Sequence, residues 1–412
     1  MSTNKYILII CDGIGDLPIA ELGNKTPLEA ANTPNLDRLA KNGKTGLMYV
    51  LGKGRRPNSD EAHLVLFGYD LEKDYPGRGP IEAAGVGVVL EQGDIAIRVN
   101  LATVDNELHV TNRRAGRIEN SSPFIKELDG TVIDGITFIL KPGTAHRVAL
   151  VMRGKGLSDK ITNSDVHYVT EDNVVEHWEG SLVNIPKPTD DSLEAKFTAE
   201  VLQKFLSYAH EIFEKNPLNV EREKKGEPKA NYLLTRGPGY FKQLQSFKDK
   251  WGVTSCCIAG AGLYKGLGVM AGMVLINVNG ATGMPNTNVE AKIQTAKEQI
   301  NNFDFVFVHI KPTDIFGENG DFENKKKFIE KIDKAIDEIE STGAVICVTA
   351  DHSTPCSLKN HSADPVPVLI NGEGREGEVG KEREEKFNER ECAKGCLGII
   401  EGKDLLSILF SK

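Results

Sequence analysis

Asp12, Asp314 and Asp351 each follow an apolar, β-branched run in a 412-residue sequence, in Ile10-Cys11-Asp12-Gly13, His309-Ile310-Lys311-Pro312-Thr313-Asp314 and Thr349-Ala350-Asp351-His352-Ser353. Side chains just beyond the carboxyl ends of parallel strands converge on one crevice of an open α/β sheet. Three carboxylates gathered there, with histidine beside them, are ligands for a metal ion. Any one such aspartate taken alone reads as a cap on the helix after it; the set of three reverses that reading.

Further donors come from Asn360-His361-Ser362-Ala363-Asp364-Pro365, a loop close enough in sequence to fold back on the same crevice. Asp314 and Glu318 are four residues apart and share a face if Asp314 opens a helical turn, although Gly317-Glu318-Asn319-Gly320-Asp321 also reads as a turn with a solvated acid. Mixed carboxylate and imidazole donors suit zinc, manganese or iron, and a mainly carboxylate set favours magnesium or manganese.

Ser59 is the nucleophile this chemistry calls for. In Pro57-Asn58-Ser59-Asp60-Glu61-Ala62-His63-Leu64 it sits at or next to a helix N-cap, among free backbone N–H groups that readily hold phosphate. As a bare N-cap it would be inert. Beside divalent metal, its hydroxyl can ionise near neutrality.

The elements that must position these groups are legible. Tyr6 to Ile10, Phe305 to Ile310 and Ala344 to Val348 are nearly continuous apolar runs, which suit strands buried on both faces of a parallel sheet. Helical patterns lie between them, from Thr33 to Lys41 with Pro34 after a capping threonine, and from Asn324 to Ser341 with Ile329, Ile332, Ile336 and Ile339 at helical spacing. Strands alternating with helices predict an α/β core.

The length exceeds what one compact core usually fills, so two domains are expected. With 40% hydrophobic and 26% charged residues the composition is that of an ordinary globular protein, and a net charge of −9 argues against nucleic acid or anionic membrane as the main partner. No charged-then-apolar leader comes after Met1, and no apolar run approaches the roughly 20 residues that span a bilayer. A cytosolic location is expected. The seven cysteines are an odd number without disulfide-framework spacing; they read as structural thiols of a reducing compartment. His63 reads as a packing or supporting residue, and His109, His177, His210 and His309 carry no motif and read as structural.

These motifs together resemble the cofactor-independent phosphoglycerate mutases of the archaeal type, within the alkaline phosphatase superfamily. The resemblance rests on Cys11-Asp12-Gly13, Asn58-Ser59-Asp60-Glu61-Ala62-His63, Lys311-Pro312-Thr313-Asp314, Ala350-Asp351-His352-Ser353-Thr354-Pro355 and His361-Ser362-Ala363-Asp364-Pro365. It extends to Arg113-Arg114-Ala115-Gly116-Arg117, Leu157-Ser158-Asp159-Lys160-Ile161 and Asn231-Tyr232-Leu233-Leu234-Thr235-Arg236-Gly237. It implies an alkaline-phosphatase-like core, a mostly parallel sheet flanked by helices, interrupted by a smaller α+β substrate domain. It also implies two divalent ions, manganese first, with magnesium, zinc or cobalt as alternatives. One ion would take Asp12, Ser59, Asp351 and His352, the other Asp314, His361 and position 318. The resemblance implies that many relatives carry histidine where this chain has Glu318; a carboxylate there shifts the expected preference away from zinc towards magnesium or manganese, with loss of that ligand and weaker metal binding as the competing outcome.

After the Ser59 helix comes the Gly-rich Pro76-Gly77-Arg78-Gly79-Pro80. Beyond it lie looser strand-like runs, Asp94 to Val104, Glu107 to Thr111, Ile136 to Leu140 and Arg147 to Arg153, and a helix from Ser192 to Glu214. The metal-binding core is therefore placed at 1–76 and 221–412 and the inserted substrate domain at 77–220, with Asn231 to Arg236 read as a core strand. A small, doubly anionic substrate needs local cations despite the negative net charge. Arg113, Arg114, Arg117, His146, Arg147 and His167 supply them in the insertion, while Arg236 and Lys265 would meet phosphate from the core side. Arginine grips phosphate and carboxylate oxygens in pairs.

The implied reaction is the glycolytic and gluconeogenic interconversion of 3-phosphoglycerate and 2-phosphoglycerate through a phosphoserine at Ser59. The alternative is a phosphomutase, kinase or phosphohydrolase of the same superfamily acting on another small phosphorylated alcohol. The oligomeric state is open.

Overall fold

The computed structural model describes residues 4–168, 178–337, 339–372 and 386–411. The chain forms two compact units, one of Met1–Tyr75 with Leu244–Lys412 and the other of Pro76–Gln243.

In the discontinuous unit eight strands form one sheet. Across it run Val274–Leu275, Ser255–Ile258, Phe305–Ile310, Tyr6–Cys11, Val345–Thr349, Val366–Asn371, Lys44–Tyr49 and Gly398–Glu401. The first five are mutually parallel, Val366–Asn371 is antiparallel to both neighbours, and Gly398–Glu401 runs parallel to Lys44–Tyr49. Every residue of Tyr6–Cys11, Phe305–Ile310 and Val345–Thr349 is buried, the condition their unbroken apolar runs anticipate. Helices cover the sheet. Phe322–Ile336 is capped by the Asp321 side chain and buries Phe328, Ile329, Ile332 and Ile336; Ile339 is buried in a separate short 3-10 turn, Ile339–Thr342. Pro34–Asn42 starts on its proline, although the Thr33 side chain makes no cap bond.

The second unit carries an antiparallel sheet ordered Val110–Asn112, Ile95–Val104, Arg147–Arg153, Ile136–Pro142, Thr131–Ile133. The helix Leu193–Lys215, capped by Ser192, lays Val201, Leu202, Phe205, Ala209 and Phe213 against it. Phe205 stacks on Phe138 at 3.9 Å between ring centroids, a contact worth about 1 kcal/mol beyond its buried area.

Two expectations change here. The insertion, read as 77–220, continues to Gln243. The strand read as part of the core is Tyr232–Tyr240, which pairs antiparallel with Ile95–Val104 in the second unit's sheet, with Arg236 opposite Arg98. The physical reason is that Tyr232-Leu233-Leu234 is buried on both faces. Leu233 packs in the cluster under the long helix, and Tyr232 and Leu234 pack with Val104 and Val110 on the other side. An apolar run of this kind reads the same in either sheet. Arg236 therefore belongs to the inserted unit and not to the core side.

Among the described residues no helix is long and apolar enough to cross a membrane. His177 and most of the charged run from Arg375 lie outside the described residues. At that run's end, Glu389 accepts hydrogen bonds from the Asp16 amide and the Thr26 hydroxyl.

Candidate functional site

Strand register brings the three aspartates together. Ile10 lies opposite both His309 and Thr349, and Cys11 opposite Ile310, so the central strand and its two neighbours end at one level. Asp12, Asp314 and Asp351 are all at most 1% exposed. Gly13 allows the crowding, because its φ is +64° and a Cβ there would meet Thr354 Oγ1 at 2.4 Å and Asp314 Cα at 2.9 Å.

Asp12 and Asp351 each have one oxygen held and the other turned inward. Asp351 Oδ1 accepts from the Gly13 amide at 3.3 Å. Asp12 Oδ2 accepts from the Tyr264 hydroxyl, His309 Nε2 and Lys311 Nζ. The remaining oxygens, Asp12 Oδ1 and Asp351 Oδ2, are buried with no hydrogen-bond partner among the described residues. Both face His352 Nε2 at 3.4 Å, and Ser59 Oγ lies 3.3 Å from the same nitrogen. Buried oxygens are seldom left unpaired. Two of them converging on an imidazole nitrogen and a hydroxyl make a fitting cradle for a divalent cation.

The imidazole tautomers are set by their partners. His361 Nδ1 lies 3.0 Å from the Pro57 carbonyl, which can only accept, so this nitrogen is a donor, and Nε2, 3.4 Å from Asp314 Oδ1, is the nitrogen a cation would take by displacing its proton. His352 Nδ1 lies 3.0 Å from Thr354 Oγ1, whose proton goes to Asp314 Oδ1 at 2.7 Å. His352 Nε2 is thereby left free for the cradle, as in metal-binding histidines whose other ring nitrogen is held by a hydrogen bond. Ligand atoms of Asp12, Asp351 and His352 lie within 4.8 Å of one another, as do those of Asp314, His352 and His361, and those of His63, His309 and Asp351.

Burial and mutual repulsion set the charges. Burial works against ionisation of Asp12 and Asp314, yet Lys311 together with His309 and His352 at Asp12, and with His361 and His352 at Asp314, outweighs it and holds both well below the usual carboxylate range. Asp351, buried and next to ionised Asp12, is pushed well above that range. Burial, then His361, depresses His352 to about 3. Burial opposes protonation of His361, but Asp314 raises its pKa.

The sequence singles out Asp12, Ser59, Asp314, Asp351, His352 and His361, and the structure places these six side by side. Ser59 is the first residue of the helix Ser59–Leu66, with Asn58 as its N-cap. Glu318 lies one turn beyond Asp314 on the helix Pro312–Asn319, which Gly320 ends in a left-handed conformation, so the stretch that also read as a turn is helical. Its carboxyl is raised by burial and by Asp314, and it belongs to none of the three donor groups. Three supporting residues were missed. His309 and Tyr264 stack at 3.3 Å between centroids and both donate to Asp12, and Lys311 joins Asp12 to Asp314. His63, ringed by Tyr264, Phe307 and His309, contacts the Ser59 carbonyl through Nδ1 at 2.6 Å. An alternation or motif search carries no signal for a single histidine or tyrosine inside an apolar run.

The second unit holds a centre of opposite sign. Asn100, Arg113, Arg114, His146, Arg147, Tyr168 and Arg236 line a cavity of about 100 Å³. Arg113 is fixed by a two-pronged pair with buried Asp165, at 2.8 and 2.6 Å, and lies over Tyr168 and Trp178. Arg236 lies 4.1 Å from the Tyr168 ring centroid. Glu82 pairs with Arg98 and Arg78. Among the described residues no carboxylate pairs with Arg114, Arg147 or Arg236, so the cavity carries surplus positive charge. Burial and the fields of Arg147 and Arg114 lower His146 to about 4, leaving a neutral imidazole among guanidiniums. The turn presenting Arg113 and Arg114 is strained, with positive φ at Ala115, Gly116 and Arg117 of 45°, 67° and 59°, conformations that persist where the surroundings impose them. Arg117 and His167 stand nearby without lining the cavity; the His167 amide donates to Asp165. Lys265 is on the helix Gly262–Met270 of the other unit.

These features agree with what the chain is similar to. The model of the Metalloenzyme superfamily matches residues 4–412. A 2,3-bisphosphoglycerate-independent phosphoglycerate mutase 1 of Archaeoglobus fulgidus is 45% identical over 98% of this chain and 96% of its own length. Its namesake in Methanocaldococcus jannaschii is 43% identical over 99% and 97%. The solved cofactor-independent phosphoglycerate mutase of Thermoplasma acidophilum superposes with a TM-score of 0.73 at 34% identity, covering 98% of each chain. A solved protein of Pyrococcus horikoshii superposes at 0.82 with 35% identity, covering 100% of this chain and 99% of that one. Identity at this level over the full length, on a fold whose strand ends build a divalent-cation cradle, identifies the chain as a member of the metal-dependent 2,3-bisphosphoglycerate-independent phosphoglycerate mutases.

Proposed function

We propose that this enzyme interconverts 3-phosphoglycerate and 2-phosphoglycerate by carrying the phosphoryl group on Ser59. The observation that carries the reading is the position of Ser59 Oγ, at a helix N-terminus and 3.3 Å from the free nitrogen of His352, beside the unpaired oxygens of Asp12 and Asp351.

Asp12, Ser59, Asp351 and His352 hold one divalent ion, and Asp314, Glu318 and His361 a second. Manganese is the preferred ion because carboxylates outnumber imidazoles, with magnesium, zinc and cobalt as alternatives. Bound there, divalent ions lower the pKa of the serine hydroxyl and neutralise charge on the transferred phosphoryl oxygens.

Ser59 Oγ, having lost its proton, forms a bond to phosphorus as the bond to the 3-oxygen of the substrate breaks, and that oxygen takes up a proton to leave glycerate. The backbone N–H groups of the Ser59 helix favour the dianion on its oxygens. Arg113, Arg114, Arg117, His146, Arg147, His167 and Arg236 keep the glycerate carboxylate and hydroxyls bound, and Lys265 meets the phosphoryl oxygens. The 2-hydroxyl then gives up its proton and attacks phosphoserine, which restores Ser59 and yields 2-phosphoglycerate. Retention of glycerate separates this course from hydrolysis, in which water takes the phosphoryl group. The reaction belongs to cytoplasmic glycolysis and gluconeogenesis and uses a small-molecule substrate, with neither nucleic acid nor membrane as partner.

Mass spectrometry of enzyme quenched during turnover with 3-phosphoglycerate tests the covalent step. The expected adduct is one phosphoryl group on the peptide containing Ser59. Turnover with no adduct, or an adduct elsewhere, overturns it.

A further inference from the structure

We infer that Lys311 is a positioning residue that divides the carboxylate cluster into two separate cation sites. Its ammonium bridges two carboxylates. Nζ donates to Asp12 Oδ2 at 3.1 Å and to Asp314 Oδ2 at 2.7 Å, and it lies 5.6 Å from the centroid of the Tyr264 ring. The ammonium thus occupies the outer oxygen of one aspartate from each proposed site.

The inner oxygens lie outside the reach of Lys311, Asp12 Oδ1 with no hydrogen-bond partner among the described residues and Asp314 Oδ1 accepting from the Thr354 hydroxyl. Asp12 Oδ1 and Asp351 Oδ2 both face His352 Nε2, and Asp314 Oδ1 faces His361 Nε2. With its outer oxygen engaged, neither Asp12 nor Asp314 can chelate one ion through both oxygens. Nor can the two aspartates swing together onto a shared ion. Each instead presents a single oxygen in a fixed direction to its own site.

Tyr264 and His309 serve the same end on the Asp12 side, donating to the same Oδ2. Lys292 fixes the strand end that carries His309, donating to the His309 carbonyl at 2.9 Å. Lys311 alone among these donors reaches both aspartates, and it does so from the position just before Pro312, on the backbone that also delivers Asp314.

A positioning role and a simple counter-charge predict opposite signs. An ammonium beside two carboxylates repels an incoming divalent cation, so removing it as a mere charge tightens metal binding. Removing it as a clamp frees the ligands to rotate and weakens binding, typically by about 10- to 100-fold for residues that hold the ligands of a metal site. This inference rests on the two-ion reading above but not on the reaction assigned to it.

The test is a Mn2+ titration of chelator-stripped protein, read by the electron paramagnetic resonance of free Mn2+ and by calorimetry, on the natural chain and on Lys311→Met. Circular dichroism checks that the variant is folded. The expected result is at least about tenfold weaker binding, with loss of one of two ions at moderate Mn2+. Equal or tighter binding overturns the inference. Should Lys311→Met not fold, Tyr264→Phe decides, because it removes one neutral donor from Asp12 Oδ2 and keeps the ring. Several-fold weaker Mn2+ binding supports the clamp, and unchanged or tighter binding overturns it. Product analysis with 3-phosphoglycerate separates the two claims. A natural enzyme that releases only inorganic phosphate defeats the mutase reading and leaves the Mn2+ comparison standing.

Discussion

The carboxylate centre of the larger unit and the arginine cavity of the inserted unit are both built from buried charge, and they balance it in opposite ways. In the first, the Lys311 ammonium touches Asp12 and Asp314, and two inward oxygens, of Asp12 and Asp351, have no hydrogen-bond partner among the described residues. In the second, Asp165 pairs with Arg113 and Glu82 is shared by Arg98 and Arg78, while among the described residues no carboxylate pairs with Arg114, Arg147 or Arg236. Burying an unpaired charge is costly. Each centre is therefore shaped for a ligand of opposite sign, a divalent cation in one and a small polyanion in the other. The fixed partners, Lys311 and Asp165, set the geometry; the surplus sets the ligand.

The largest expected effect breaks the first centre at its proposed nucleophile. Ser59→Ala should lower kcat by on the order of 10⁴ or more and abolish phosphoenzyme, with Mn2+ still bound by the remaining ligands. Full mutase activity in that variant rules out the covalent route.

Next in size is the second centre. Arg147→Ala or Arg114→Ala removes a charged hydrogen bond worth about 1.5–3 kcal/mol, so binding of substrate should weaken by about 10- to 100-fold. On the proposal that these arginines retain glycerate, the share of phosphate lost to water should also rise. If activity falls while that share stays fixed, the cavity does not hold the intermediate.

The contrast in sign also predicts a pH dependence. Asp351 and His361 both have raised pKa values in the ion-free protein, so each tends to hold a proton that a cation must displace. Mn2+ affinity should accordingly rise with pH, by up to about tenfold per pH unit for each proton displaced. Titrations from about pH 6 to about pH 8 measure the slope; a flat or falling affinity contradicts the assigned protonation.

The smallest effect concerns Glu318. Glu318→His places an imidazole one turn from Asp314 and should shift preference from Mn2+ towards Zn2+ by several-fold. Competition titration reads the shift, and identical selectivity in both proteins removes Glu318 from the ligand set.

The core of this arrangement was readable from residue order because parallel strands buried on both faces leave an unmistakable apolar run, and the residues just past such a run land at the crevice. Asp12, Asp314 and Asp351 were found in that way. The strand Tyr232–Tyr240 misled for the same reason, since an equally apolar run is buried in the other unit's sheet. The supporting residues were hidden from pattern. His309 sits inside a buried strand and Tyr264 inside a buried helix, where periodicity marks them as packing, and only tertiary structure, such as the register of Ile10 with His309, reveals that they converge on Asp12. The cationic turn was visible as Arg113-Arg114-Ala115-Gly116-Arg117. Its consecutive left-handed residues, which aim Arg113 and Arg114 while Arg117 stays outside the cavity, are a tertiary constraint with no mark in residue type beyond Gly116.

The most direct measurement tracks 3-phosphoglycerate by ³¹P nuclear magnetic resonance, with chelator-stripped protein before and after Mn2+ is restored. A cation centre serving a retained anion predicts no conversion in the stripped protein, and after Mn2+ addition 2-phosphoglycerate forming faster than inorganic phosphate. Interconversion without metal, or phosphate as the main product with metal, contradicts it.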